Sequence, residues 1–290
     1  MNRMNKWSPG YWIVVFMGVA VLFPSVAFGA PIVFSDSGAN ALSIQDTVDL
    51  FRASLGNPNN ANAPGPLAGG RREINWDGGG PPVINGTAPV TPFTVFQNTR
   101  GATFTTPGIG LTQAAATGGL LSLDLINPTY AATFATFSPN RLFTPIGSNI
   151  TEGTFSLPGT GGAVPATVSG FGAVFTDVDL ANITSIQYFD ATNASLGTFF
   201  VPSGVAGAAS SQTLSFLGVN FTSERIFRVR ITTGNSALGP DDGIVDTPNV
   251  DVVVMDDFLY SEPQAVPEPT TLLLLGSGLA GFMVWRRFFS

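Results

Sequence analysis

The sequence contains no cysteine and no histidine, and Lys6 is its single lysine. The missing cysteine excludes a disulfide framework and all thiol chemistry. The missing histidine removes the commonest general base, so Ser–His and Cys–His nucleophile pairs are excluded, and no lysine beyond position 6 can serve a Ser–Lys dyad. A zinc centre of the ordinary His/Cys type is excluded as well. Positive charge is scarce: residues 30–266 hold eight arginines against eighteen Asp and Glu. Such an acidic surface is unsuited to neutralising phosphates, so nucleic acid is not an expected partner. What remains is oxygen chemistry: carboxylates that ligate a hard cation such as Ca2+, or a carboxylate pair flanking a glycosidic bond.

Helical patterning is also rare. Ser43-Ile44-Gln45-Asp46 reads as a capping box with Asp in place of Glu. Ile44, Val48, Phe51 and Leu55 follow at helical spacing until Gly56, which predicts one short amphipathic helix over 43–55. Asn57–Gly70 is rich in Asn, Pro, Gly and Ala and reads as a loop. From Phe93 onward the chain consists of short runs of β-formers between turn residues. Candidate strands are Phe93–Phe96, Ala102–Thr105, Ala131–Phe137, Ile150–Leu157, Ala166–Phe175, Ile183–Phe189, Thr198–Val201, Leu214–Phe221, Ile226–Ile231, Val250–Met255 and Phe258–Tyr260. This spacing, with few helical intervals, predicts a mainly β fold: an antiparallel β-sandwich. In Ile226–Ile231 the alternation places Phe227, Val229 and Ile231 in the core and Arg228 and Arg230 outside.

The two ends differ from the middle. Arg3 and Lys6 precede the apolar stretch Tyr11–Phe23, which is followed by Pro24-Ser25-Val26-Ala27-Phe28-Gly29. That is the order of a secretory signal peptide, residues 1–29, with a signal helix. Ala27 and Gly29 suit cleavage after Gly29; cleavage after Ala27, with Ser25 three positions from the cut, is the alternative. At the other end Val266-Pro267-Glu268-Pro269 breaks the chain, Leu272–Trp285 is uncharged, and Arg286-Arg287 follow at once. A full span needs about 20 apolar residues, so a transmembrane helix at 270–285 is a short one. The arginine pair would hold its end in the cytoplasm. The expected organisation is therefore a signal peptide at 1–29, a helix-and-loop region at 30–92, a β-sandwich at 93–262, and a tail at 263–290.

This succession of Pro-Glu-Pro, short apolar helix and basic stop resembles the PEP-CTERM sorting tail that exosortases read. The resemblance implies a protein that is exported, held at least transiently in a membrane, and then delivered to the cell surface or the extracellular matrix. Val266, Pro267, Glu268, Pro269, Arg286 and Arg287 would be its sorting residues, with the membrane and an exosortase-type processing enzyme as partners and an exopolysaccharide as a further one. Residues 165–262 are similar to exported jelly-roll domains, through Gly170–Asp179, Ile186–Asp190, Leu217-Gly218-Val219, Ile226–Ile231 and Val252–Tyr260. The closing Asp256-Asp257-Phe258 strand is similar to the last strand of galactose-binding-like domains.

Three function classes follow from these readings. The first is a non-enzymatic surface or matrix protein, the second a carbohydrate- or calcium-binding module, and the third a carboxylate-dependent hydrolase. Carboxylate candidates are Asp177, Asp179, Asp190, Asp251 and Asp257. For Ca2+ the expectation centres on Asp241, Asp242 and Asp246 in one loop, and on Asp256. Glu73, Trp76 and Asp77 are the candidate ligand-binding group: Trp76 would stack on a sugar ring and the charged neighbours would bond its hydroxyls.

Overall fold

Alternating apolar residues between turn-forming segments produce strands wherever one face of each run can be buried. The computed structural model describes residues 29–78, 88–119, 121–204, 211–222, 225–242 and 249–266. Its strands are β1 (Ile32–Gly38), β2 (Arg71–Ile74), β3 (Ala102–Thr105), β4 (Gly110–Ala114), β5 (Leu142–Ile146), β6 (Ile150–Phe155), β7 (Ala166–Thr167), β8 (Gly170–Thr176), β9 (Ser185–Phe189), β10 (Ser195–Phe200), β11 (Leu214–Asn220), β12 (Arg228–Thr232), β13 (Val254–Ser261) and β14 (Gln264–Ala265). The helices are α1 (Ala41–Leu55), two single turns, α2 (Gln97–Arg100) and α3 (Tyr130–Thr133), and a 3-10 turn at Leu123–Leu125. Among the described residues no helix is long and apolar enough to cross a membrane. The expected signal helix and the expected span at 270–285 lie outside them.

The fold is a mainly β, antiparallel sandwich. One sheet runs β1-β11-β8-β13-β5-β4, with β2 also paired to β13; the other runs β10-β9-β12-β6-β3. A small β14–β7 pair closes the end. The core lies between the two sheets. Phe171, Ala173 and Phe175 of β8, Leu217 and Val219 of β11, and Phe258 and Tyr260 of β13 meet Phe104, Phe155, Ile186, Tyr188, Val229 and Ile231 from the opposite sheet. The segment 30–92 contributes β1 and β2 to the larger sheet, where they pair with β11 and β13.

Helix α1 buries its stripe of Ile44, Val48, Phe51 and Leu55 on the outer face of that sheet, against Val174, Leu214, Phe216 and Leu259. The strands beneath it are thus covered on both sides, which is why β8, β11 and β13 are buried along their whole length. Close approach depends on two glycines that face each other in register, Gly172 and Gly218. A Cβ on Gly218 would stand 2.7 Å from the Phe51 ring. The helix begins earlier than the capping box suggested. Asn40 is the N-cap, and its side chain accepts from the Ser43 backbone N–H at 3.2 Å. Asn is as good a cap as Ser, and here it gains an additional half turn of helix.

Several local expectations are corrected. Ala131–Phe137 is not a strand. Its first half is the α3 turn, fixed by Asn127 Oδ1, which accepts from Thr129 N–H, and by Tyr130, whose hydroxyl donates to Pro240 O at 2.8 Å. Phe93–Phe96 is reduced to an isolated bridge between Phe93 and Phe104. In Ile226–Ile231 the core positions are Ile226, Val229 and Ile231, while Phe227 is only half-buried, because regular pairing of β12 starts at Arg228. The end of Val250–Met255 and all of Phe258–Tyr260 fall in the one strand β13, while residues 250–253 precede it. Its register against β8 slips between Met255 and Phe258, so that Asp256 and Asp257 both oppose Val174 in a β-bulge.

Candidate functional site: two acidic clusters

The first cluster forms where β8 ends and β13 begins. Thr176 pairs with Val254, which brings the residues after β8 beside those before β13. Asp177 follows β8 at φ +66°, a left-handed conformation that Asp tolerates better than most residues. Its N–H donates to Thr213 O at 2.9 Å. Asp251 is anchored on both sides: its two carboxylate oxygens accept from Asp179 N–H at 3.3 Å and Leu180 N–H at 3.1 Å. Asp242 arrives on the segment between β12 and β13 and is held by Val252 N–H, which donates to its Oδ1 at 2.7 Å.

The result is a tight carboxylate group. One oxygen from each of Asp177, Asp179 and Asp242 lies within 4.8 Å of the others. Asp177 is 0% exposed, and neither of its carboxylate oxygens has a hydrogen-bond partner. Burial, then the charges of Asp242 and Asp179, push its pKa up to about 9. Burial and Asp242 raise Asp179 to about 6. Asp251 rises to about 7, chiefly through burial and against the pull of its two N–H donors. Asp242 is raised by burial too. The described ion pairs are made by Arg52, Arg71, Arg72, Arg228 and Arg230, with partners outside this group.

The second cluster sits in the β13 bulge. Asp256 Oδ2 accepts from Phe137 N–H at 2.6 Å and Ser138 N–H at 3.3 Å. Asp257 accepts from Ser138 Oγ at 2.6 Å and lies 3.8 Å from Arg52. Asp77 accepts from the backbone N–H groups of Asn140 at 2.6 Å and Arg141 at 2.8 Å. Burial, then Asp257, drives the Asp256 pKa well above the carboxylate range. Asp256 Oδ1 has no donor and faces Asp257, so a proton retained there serves both groups. This cluster ties the 134–141 segment to the sheet.

These positions rearrange the candidates. Of the expected calcium residues, Asp242 joins Asp177 and Asp179 in a group of converging carboxylates. Asp241 accepts instead from Asn127 Nδ2 at 2.8 Å, and Asp246 lies outside the described residues. Asp256 is spent on backbone donors in the bulge. Asp190 closes its own turn, accepting from Thr192 and Ala194 N–H. The expected sugar site is not formed. Trp76 is fully buried, stacked on Phe143 at 3.6 Å, and its Nε1–H donates to Asp256 O at 3.0 Å. Glu73 pairs with Arg52 and Arg71. The sequence offered Asp177 and Asp179 only as general carboxylates. Their meeting with Asp242 depends on the β8–β13 register, which no local motif encodes.

Of the sorting residues, Val266 falls at the edge of the fold. β14 ends at Ala265, and Val266 N–H donates to Pro165 O at 3.3 Å. Pro267, Glu268, Pro269, Arg286 and Arg287 lie outside the described residues. Residues 265–287 match the PEP-CTERM protein-sorting motif. No curated protein and no solved structure matches the chain. The chain is therefore a β-rich protein with antiparallel sheets that carries a PEP-CTERM sorting motif. A motif of this kind indicates export through exosortase-type sorting and association with a membrane.

Proposed function

We propose that this is an exported, non-enzymatic surface or extracellular-matrix protein, held in a membrane through residues 270–285 and released when an exosortase-type enzyme acts at Pro267-Glu268-Pro269. The observation that carries the reading is the sorting motif at 265–287, which starts in the last strand of the fold. Val266 makes the last described backbone bond, to Pro165. Pro267 then has no N–H to continue that pairing, and the residue before each proline is biased toward extended backbone. Glu268 is the only charged residue within Pro267-Glu268-Pro269.

The lack of histidine and cysteine supports a role without nucleophilic catalysis. A carboxylate hydrolase finds little support. Glycosidase pairs stand roughly 5–9.5 Å apart across a substrate, whereas Asp177 is sealed from solvent and cannot reach one. An aromatic sugar platform is similarly unsupported, since Trp76, Tyr130, Tyr188 and Tyr260 are all fully buried. The test is replacement of Pro267-Glu268-Pro269 by three alanines. The parent chain should lose its tail and leave the membrane, and the variant should keep its tail and accumulate there. Identical processing of both would reject the proposal.

A further inference from the structure

We propose that Asp177, Asp179 and Asp242 bind one calcium ion, which fastens the segment before β13 to the end of β8. The proposal concerns the sandwich alone and is independent of how the tail is processed. Three observations meet here. The three carboxylates each direct an oxygen into a space whose donor atoms lie within 4.8 Å of one another. Calcium–oxygen distances of about 2.3–2.6 Å place ligands on opposite sides of the ion up to about 5 Å apart, which matches that span.

The second observation is Asp177. It is fully buried, both of its oxygens lack any partner, and it points into the same space as the other two carboxylates. A buried polar group is ordinarily hydrogen-bonded, and a buried charge is paired or coordinates a metal. No hydrogen-bond donor answers Asp177, whereas the neighbouring Asp251 is satisfied by two backbone N–H groups. The third observation is how the ligands are positioned. Asp242 Oδ1 is already fixed by Val252 N–H, and the Asp179 N–H is held by Asp251, so both side chains are oriented without using their whole coordinating capacity.

Calcium is the ion of choice among hard cations. The ligands come from irregular backbone at strand ends, which suits calcium's flexible coordination. Magnesium demands near-ideal octahedral geometry at shorter distances and retains its waters. A chain bearing an export motif also meets the compartment in which calcium modules work at about 10⁻⁴–10⁻³ M affinity.

The experiment uses the purified full chain in mild detergent. Calcium retention is measured by equilibrium dialysis, and thermal unfolding is followed in calcium, in magnesium and in chelator. The parent should bind one calcium ion and melt at higher temperature in about 10 mM calcium than in chelator. Magnesium should give a clearly smaller shift. Asp177→Asn should remain folded in chelator and lose the response to calcium. The double variant Asp179→Asn/Asp242→Asn alters half-buried positions and keeps the acceptor for Val252 N–H; it should bind at least about tenfold more weakly. No calcium retained by the parent, equal stabilisation by magnesium, or undiminished binding in the double variant would each overturn the site.

Discussion

The two acidic clusters look alike in sequence and behave differently in the fold. Asp177, Asp179 and Asp242 converge at a strand end with a fully buried member that has no partner. Asp256, Asp257 and Asp77 converge in a β-bulge, where backbone N–H groups and Ser138 take up most of their oxygens. Burial raises pKa values in both places. A raised pKa therefore does not distinguish a binding site from scaffold here, whereas accounting for hydrogen-bond partners does. The first cluster keeps unpartnered acceptors, and the second uses most of its acceptors to position the 134–141 segment.

The largest expected effect calibrates what an orphaned buried charge costs in this sandwich. Arg72 and Glu262 form a fully buried bidentate pair at 2.5 and 2.7 Å, and Arg72 also donates to Ala61 O and Ala63 O. Glu262→Ala strands that guanidinium. It should cost about 3–5 kcal/mol in chemical denaturation. A loss below about 1 kcal/mol would mean that buried charge is cheap here, and the argument from Asp177 would weaken with it.

Next comes the scaffold cluster. Asp256→Ala removes the acceptor of Phe137 and Ser138 N–H and should cost about 1–3 kcal/mol. Asp256→Asn keeps an acceptor and places a permanent donor beside Asp257, so it should be near neutral at acidic pH. Equal losses for Ala and Asn would show that the carboxylate acts as a charge rather than as an acceptor.

A pH series separates the same two variants. Because burial raises Asp256, its contribution to stability is fully present below the unfolded value of about 4 and is lost as pH rises toward its folded value. Asp257, Asp77, Glu73 and Arg52 are the charged groups that surround this pair. The parent should therefore lose stability as pH rises above about 4, and Asp256→Asn should flatten that slope. A parent curve with no decline, measured with calcium held constant, would remove the shared proton from the account.

The smallest effect lies on the opposite sheet. Glu152 pairs with both Arg228 and Arg230, and Arg230 is 47% exposed. Arg230→Ala should change stability by no more than about 0.5 kcal/mol, since solvent screens the pair and Arg228 remains. A larger loss would show that exposed pairs contribute more here than the buried acidic clusters suggest.

The sequence by itself determined the export-type tail, the mainly β class and the long helix α1. Each is written in local order: a breaker before an apolar run and a basic stop, β-formers between turn residues, and Ile44, Val48, Phe51 and Leu55 at helical spacing. Ala102–Thr105 was legible to the residue because both of its apolar positions face one way. Tertiary structure decided the rest. Gly110–Ala114 and Leu142–Ile146 went unread as strands, since glycine, glutamine and Pro145 weaken their pattern and only pairing with neighbours makes them β. Ala131–Phe137 reads as strand in composition, but its first half lies in the α3 turn, where Tyr130 reaches Pro240, more than a hundred residues away. The candidate site was legible only in part, because Asp177, Asp179 and Asp242 are separated along the chain and meet only through the pairing of Thr176 with Val254. Trp76 next to Glu73 and Asp77 suggested a surface, yet the ring is buried because five aromatic side chains surround it from several strands and loops. Local sequence sets which face of a run is apolar; which carboxylates share a space, and whether anything answers their charge, is set by sheet register across the whole chain.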